Sequence, residues 1–369
     1  KPHADLVPIN MASCGSKAGK GQPLDAIVYM PTGPKRMGDL HVGEVVLTPT
    51  GTATIEEIFP LGVRELYCVT FQEGVKVYTT EDHLWEVHSH RGKHPMDRHK
   101  PWPRLLTTQA LCTQGELQNL WVPSNVNVDY RAQPVPIDPY VLGVLIGDGS
   151  ISQEEGSIRF TSADSEIVER IRAVLPQGYS LRSNKKFAFT ISLQQSHHKS
   201  RTRWIPSLRK LGLWGLKSHE KFIPEIYKYN TKAVRLEILR GILDTDGSVD
   251  KGQAVLEQTS RRLDHDIHEV IASLGGFCKT KTKIGSYCKD GVRIECKEVF
   301  RTRIRYPDCA ELFSLSRKRL QCRPKRRGVP RKFLTIERLT IRAEAQCIKI
   351  SDPRGLYLTD GMIPTHNSA

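Results

Sequence analysis

Hydrophobic and polar residues alternate with period two over residues 40–87, with tight-turn signals breaking the pattern. EVVLTPTGTATIEEI turns at Pro49 to Gly51 and ELYCVTFQEGVKVYTT at Glu73-Gly74, so this region is predicted to be short strands joined by hairpins. Residues 88–135 lose the alternation, are rich in His, Pro and Arg, and are predicted to connect rather than to pair. From residue 136 helical and strand periods alternate.

That last region contains itself twice. VLGVLIGDGSIS is followed by IRFTSADSEIVERIRAVL, and LRGILDTDGSVD by AVLEQTSRRLDHDIHEVIASL. Asp148 precedes Thr161-Ser162 by the same thirteen residues that separate Asp246 from Thr259-Ser260. A helix with an apolar stripe follows each Thr-Ser, through Ile167, Ile171 and Val174 in one copy and Leu263, Ile267 and Val270 in the other. Each copy also opens with a helix. Asp138 caps the first, ahead of Pro139, and Thr231 or Asn230 caps the second. Gly143 and Gly147, and likewise Gly241 and Thr245, are small residues four apart, a spacing that lets two helices pack closely. Gly149 and Gly247 are predicted to act as their C-terminal caps.

Charge narrows the function. The 369 residues carry 55 Lys plus Arg against 40 Asp plus Glu, a formal charge of +15, which points to a polyanionic partner. No run of eighteen apolar residues exists, which excludes a helical membrane span, and the opening residues lack the apolar stretch of a secretory signal. The nine cysteines form no Cys-x-x-Cys pair, so a zinc ribbon and a disulfide framework are excluded, most are read as core thiols, and a reducing cytoplasm is the expected location. His88, His90, His94 and His99 are interleaved with Arg91, Lys93, Arg98 and Lys100, a solvated basic loop rather than a metal site.

Close packing of the two motif helices brings Asp148 and Asp246 together at negatively polarised helix ends. Two carboxylates so placed suit a shared divalent cation, with oxygen ligands favouring Mg²⁺ and phosphodiester hydrolysis the matching chemistry. VLGVLIGDG (141–149) and LRGILDTDG (239–247) resemble the two motifs of a double-motif LAGLIDADG homing endonuclease. The resemblance implies an α+β domain of pseudo-twofold αββαββα halves. Their strands form a saddle on a long, pseudo-symmetric DNA duplex, and Asp148, Asp246, Gly147 and Thr245 hold metal. Lys185, Lys186, Lys281 and Lys283 all suit the assisting basic role.

The far end reads MIPTHNSA. The Asn367 amide can close on its own carbonyl and cleave Asn367–Ser368, with His366 protonating the departing amine and the Ser368 hydroxyl able to accept an acyl group. Together with GPKRMGDLHVGEVV, with Thr80 and His83 in TTEDHLWEV, and with YLTDGMIPTHNS, this ending resembles an intein. The resemblance implies an all-β horseshoe splicing (HINT) domain from residues 21–128 and 334–367, an endonuclease inserted at 129–333, and host flanks at 1–20 and 368–369. It implies that His83 activates the Lys20–Gly21 peptide.

Gly21 departs from the family, since most inteins begin with Cys, Ser or Thr. It matches either a disabled class 1 intein or a class 3 intein, which uses a separated Trp, Cys and Thr. Trp85, Cys347 in AQCIKISD and Thr365 fill those places and favour class 3. Cys347 would then attack the Lys20 carbonyl, with Trp85 and Thr365 packed around it and hydrogen-bonded to its site; splicing needs no cofactor, and DNA cleavage needs Mg²⁺.

Removing 21–367 joins CGSKAGK to SA, a Walker A-like Gly-Lys-Ser with Cys14 at the usual first glycine, similar to phage terminase large subunits. The densest basic run, RKRLQCRPKRRGVPRK (317–332), is predicted to be a flexible arm on DNA phosphates through Arg317, Lys318, Arg319, Arg323, Lys325, Arg326 and Arg327. The expected partners are double-stranded DNA of the intein-free host gene and the chain's own flanks, with no membrane and a monomeric state. A free-standing homing endonuclease or maturase accounts for the middle and leaves the matched ends unexplained.

Overall fold

The computed structural model describes residues 20–89, 103–115, 117–123, 126, 128–151, 157–193, 204–289, 292–324 and 330–366. Two chain segments far apart in sequence build one β structure. Strand Gly51–Phe71 pairs antiparallel along its length with strand Arg331–Ile350, from Phe71 opposite Phe333 to Ile55 opposite Ile350. Their sheet has the order Val45–Thr48, Gly51–Phe71, Arg331–Ile350, Leu120–Val122, Leu84–Ser89, Arg104–Thr107, with Gln22–Pro23 and Lys76–Thr79 paired beside it. A second sheet runs Ile363–His366, Leu356–Thr359, Ile27–Met30, Gly33–Arg36, and so interleaves the two ends of the described chain.

The expected hairpins form. Thr48 lies opposite Gly51, and the Glu73-Gly74 turn joins Gly51–Phe71 to Lys76–Thr79 with Gly74 at φ 94°, a conformation that favours glycine. Period-two burial of Ala53 and Ile55 feeds a core with Val28, Met37, Val46, Ile348 and Tyr357, while Phe71, Val77, Trp85, Val122 and Phe333 fill a second. The predicted connecting region 88–135 is corrected in part. Arg104–Thr107 and Leu120–Val122 are strands of the large sheet, and Thr108–Cys112 is a helix capped by the Thr107 hydroxyl. Short apolar pairs such as Leu105-Leu106 and Leu120-Trp121 carry too little periodicity to be read alone. His90, His94 and His99 lie outside the described residues.

Between these segments the repeat folds as two similar units. In each, helix, two strands, helix, two strands and a closing helix follow in order: Pro139–Ile146 to Trp204–Lys210, then Lys232–Thr245 to Ser316–Arg319. Both four-stranded sheets have the same order, with the third and fourth strands exchanged. Thr231 caps the second motif helix, as Asp138 caps the first, and Asn230 instead holds Gln133. The apolar stripes are buried except Val174, which is 37% exposed at its helix end.

The two structures share a seam. Tyr29, Leu47, Leu358 and Met362 pack with Val128, Tyr130, Tyr229 and Ala272. Gly33, at φ 124°, lets the Tyr229 ring lie where a Cβ would be 3.3 Å away. Arg235 is fully buried there and donates to the Val128 and Asn230 carbonyls and the Ser273 hydroxyl. Strand Arg331–Ile350 runs across the expected boundary between 333 and 334, anchored by a buried Arg331–Glu73 ion pair. Among the described residues no helix is long and apolar enough to cross a membrane.

Candidate functional site

The motif helices touch backbone to backbone. A Cβ on Gly143 would collide with the Ile238 carbonyl oxygen and lie 2.9 Å from the Gly241 Cα, and one on Gly241 would collide with the Tyr140 carbonyl oxygen. The small residues are therefore required by the approach. Gly149 and Gly247 do not cap the helices as expected, since Gly147 and Asp246 hold the C-cap positions. Each of the two glycines opens a strand instead. A Cβ there would collide with the carbonyl oxygen of Leu145 or Leu243, so glycine is selected by close approach rather than by a left-handed turn.

This packing unites the two aspartates. Burial, followed by the Asp148 charge, pushes the Asp246 carboxyl up to about 6. Two lysines that sequence reasoning missed complete the site. Lys221 Nζ donates to the carbonyl oxygens of Leu145 (2.9 Å), Gly147 (3.2 Å) and Gly149 (2.7 Å). Lys318 Nζ donates to those of Leu243 (2.8 Å), Asp244 (2.7 Å) and Gly247 (2.6 Å). Each ammonium thus satisfies the carbonyls that a helix leaves open at its C-terminus. Burial lowers both lysines to about 8, against the pull of Asp246 and Asp148 on Lys221 and mainly of Asp244 on Lys318.

The donor chemistry here fits a divalent cation: two carboxylates lie close enough for the charge of one to raise the other, and both lysine ammoniums are spent on backbone carbonyls. By contrast His265, Asp266 and Glu269 cluster closely, yet both carboxylates are already taken by Lys228 Nζ, at 2.8 and 3.0 Å.

The basic run behaves differently from the arm predicted. Ser316–Arg319 is a short helix, Lys318 is buried as described, and Arg317 forms a bidentate pair with Asp164. Arg319 and Arg323 are exposed, and Lys325, Arg326 and Arg327 lie outside the described residues. Further basic residues lie on the sheet of the second repeat unit. Lys279 stands opposite Arg303 and Lys281 opposite Arg301, with Arg301 paired to Glu257 and Asp250 and Arg303 to Asp250. Lys186 and Lys283 are also exposed.

At the ends, Gln22 lies opposite Gln346 and Pro23 opposite Ala345, with Gly21 and Cys347 the next residues along each segment. The Gly21 N–H donates to the Thr80 hydroxyl at 2.9 Å, and its carbonyl accepts from the Thr80 N–H at 2.9 Å. A Cβ on Gly21 would collide with Leu61 Cδ1 and lie 3.0 Å from the Gln346 carbonyl oxygen. His83 Nε2 is hydrogen-bonded to the Thr365 hydroxyl, and its buried Nδ1 has no partner among the described residues. Burial, followed by the charge of His366, drives the His83 imidazole down to about 3.

The Thr365 hydroxyl is thus engaged by His83. The Trp85 indole N–H donates to Thr108 at 3.0 Å and its ring packs edge-on to His83, because the core of Phe71 and Phe333 claims it. The Cys347 thiol is buried and donates to the Ile348 carbonyl at 3.5 Å. Lys20 is half-buried, His366 is buried in the last strand, and Asn367 and Ser368 lie outside the described residues.

Residues 233–306 match the LAGLIDADG-like domain family. In sequence the chain is similar to a replicative DNA helicase DnaB of Mycobacterium intracellulare, 29% identical over 378 residues. That match covers 95% of this chain and 59% of the helicase, so the chain spans about three fifths of that curated relative's length. Among solved structures it is similar to the Msm DnaB1 intein splicing domain bound with zinc, at 11% identity and TM-score 0.29, covering 94% of this chain and 99% of that one. It is also similar to mesophilic variants of the homing endonuclease I-DmoI, at 10% identity and TM-score 0.30, covering 47% and 91%.

Proposed function

We propose that this chain is a class 3 intein that excises itself from a host protein and carries a site-specific double-strand DNA endonuclease. One observation carries the reading: two ends more than three hundred residues apart meet in one ladder, Gln22 opposite Gln346 and Pro23 opposite Ala345, with the motif helices folded between them. Residues 21–128, together with strand Arg331–Ile350 and the chain on to 367, form the splicing domain, the residues between them the endonuclease, and 1–20 and 368–369 the flanks.

The Cys347 thiolate attacks the Lys20 carbonyl, the Lys20–Gly21 bond breaks, and the Gly21 nitrogen leaves as an amine. Thr80 holds Gly21 from both sides, and His83, kept neutral, has Nδ1 open to exchange a proton. The acyl group passes to the Ser368 hydroxyl, Asn367 cyclises while His366 protonates the departing amine, and an O-to-N shift joins Lys20 to Ser368. Trp85 and Thr365 act through His83 rather than on the thiol. Class 3 is preferred to a disabled class 1 intein because Trp85, Cys347 and Thr365 fill the places that class uses.

In the endonuclease, Asp148 and Asp246, with the backbone at Gly147 and Thr245, would hold Mg²⁺. The ion, when bound, would polarise the phosphodiester and stabilise the leaving oxygen. Lys221 and Lys318 keep ammonium groups near neutrality, suited to moving a proton at Nζ. Exposed Lys279 and Lys281, with Lys186 and Lys283, suit the phosphates of a duplex backbone. The host is a P-loop ATPase of terminase-like type, with Lys20 and Ser368 adjoining in its Gly-Lys-Ser.

Mass spectrometry of the chain expressed between longer flanks tests the reading. A joined flank and a free segment of residues 21–367 are expected; an intact precursor with no cleavage at either junction would overturn it.

A further inference from the structure

We propose that Cys309 and Cys322 form a reversible disulfide that clamps the strap carrying Lys318. The two sulfurs lie 2.9 Å apart, Cys322 Sγ donating to Cys309 Sγ, and both are free thiols in this structure. That separation is inside ordinary sulfur contact, and a bond of about 2.05 Å needs a shift of under an ångström.

The segment they close is tied down at many points. Asp308 caps its first turn, and Ser314 and Leu315 donate backbone N–H groups to Asp244. Lys318 reaches the carbonyls at the end of the second motif helix, and the Arg323 N–H donates to the Gly252 carbonyl. Cys309 is fixed in the core and Cys322 sits at its rim, so a bond between them fastens the returning end of the strap to its start. The corresponding approach to Lys221, LGLWGLKSHEKF (211–222), contains no cysteine. Only one half of the endonuclease can therefore be fastened this way.

Burial raises both thiols, and the hydrogen bond between them raises Cys309 further while it lowers Cys322. Cys322 is the accessible member and so the entry point. Its thiolate attacks a low-molecular-weight disulfide, forming a mixed disulfide and releasing one small thiol. Cys309 then loses its proton and displaces the second small thiol. The protein gives up two electrons and two protons, and the small disulfide is reduced to two thiols. Reaction is slow at neutral pH because both thiols are raised, and excess small thiol reverses it.

The full chain, incubated with oxidised glutathione and digested after alkylation, tests the bond. The tryptic peptide holding Cys309 should be joined to the one holding Cys322, lighter by two hydrogens and released by dithiothreitol, with no such link in Cys322→Ser. Hydrogen exchange at Ser314 and Leu315 should slow about tenfold on oxidation, the sign of a fastened strap. Two alkylated thiols after oxidation of folded wild-type protein would overturn the proposal, as would a link that leaves exchange unchanged. The clamp's effect on cleavage rests on the endonuclease reading, but neither readout uses DNA. Absence of nuclease activity would therefore count against that reading alone.

Discussion

Lys221 and Lys318 take the same place in the two halves of the repeat, each ammonium resting on three carbonyl oxygens at the end of one motif helix. Neither lysine lies in the motif it serves. Lys221 arrives from the chain after the first half, and Lys318 from the strap after the second. Lys221→Ala and Lys318→Ala should each lower DNA cleavage about a hundredfold while leaving duplex binding within a few-fold. Plasmid nicking and gel-shift titration read the two effects separately. Equal losses in binding and cleavage would make the lysines supports of the fold alone.

The Asp148–Asp246 contact makes a paired prediction. Asp246→Asn should abolish cleavage, yet remove a buried carboxylate held beside a like charge. In the absence of divalent cation the variant should match or exceed wild-type stability, by up to about 2 kcal/mol near neutral pH. Added Mg²⁺ should raise the melting temperature of wild type more than that of the variant. Urea titration with and without chelator checks both signs.

Burial of neutral His83 sets an acid limit on the splicing domain. Its folded pKa near 3 lies below the unfolded value near 6.5, so between these values the unfolded chain binds more protons. Stability is complete above about 6.5 and falls as pH drops toward 3, by about 2 kcal/mol between pH 7 and pH 5. His83→Gln should flatten this part of the profile, measured as the urea midpoint against pH.

Crowding at Gly21 gives a rescue test. Gly21→Ala pushes a methyl group into Leu61 and should slow cleavage at Lys20–Gly21 about tenfold. Leu61→Ala in the same chain should recover most of the rate, read by mass spectrometry of precursor and products. A Gly21→Ala chain that splices at the wild-type rate would mean the junction is looser than this packing requires.

The repeat made the endonuclease-like core legible because its signals are local. Asp138, Pro139 and the small residues at 143 and 241 each report on a cap or a helix contact within a few residues. The lysines were illegible because what places them is tertiary. Carrying the spacing of the two aspartates forward from Lys221 lands on Arg319, one residue past Lys318, amid basic residues that read as a solvated arm. The same run misled about DNA contact, since Arg317 pairs with Asp164 and Lys318 is buried. Facing lysines and arginines at 279–303 emerge only once the strand register is known. At the ends, motif spacing named Thr80, His83, Cys347 and Thr365. It could not say that Trp85 would turn to Thr108, because that choice belongs to the core around Phe71 and Phe333.

The central claim is that Cys347, one residue beyond the Gln22–Gln346 pair, opens the Lys20–Gly21 bond. The most direct measurement is mass spectrometry of thiol-induced cleavage in wild type and Cys347→Ala, each with Asn367→Ala to hold the downstream junction. Wild-type Cys347 should release a flank ending at Lys20 when dithiothreitol is added, and Cys347→Ala should release none. Release from Cys347→Ala at the rate of its parent would contradict the account.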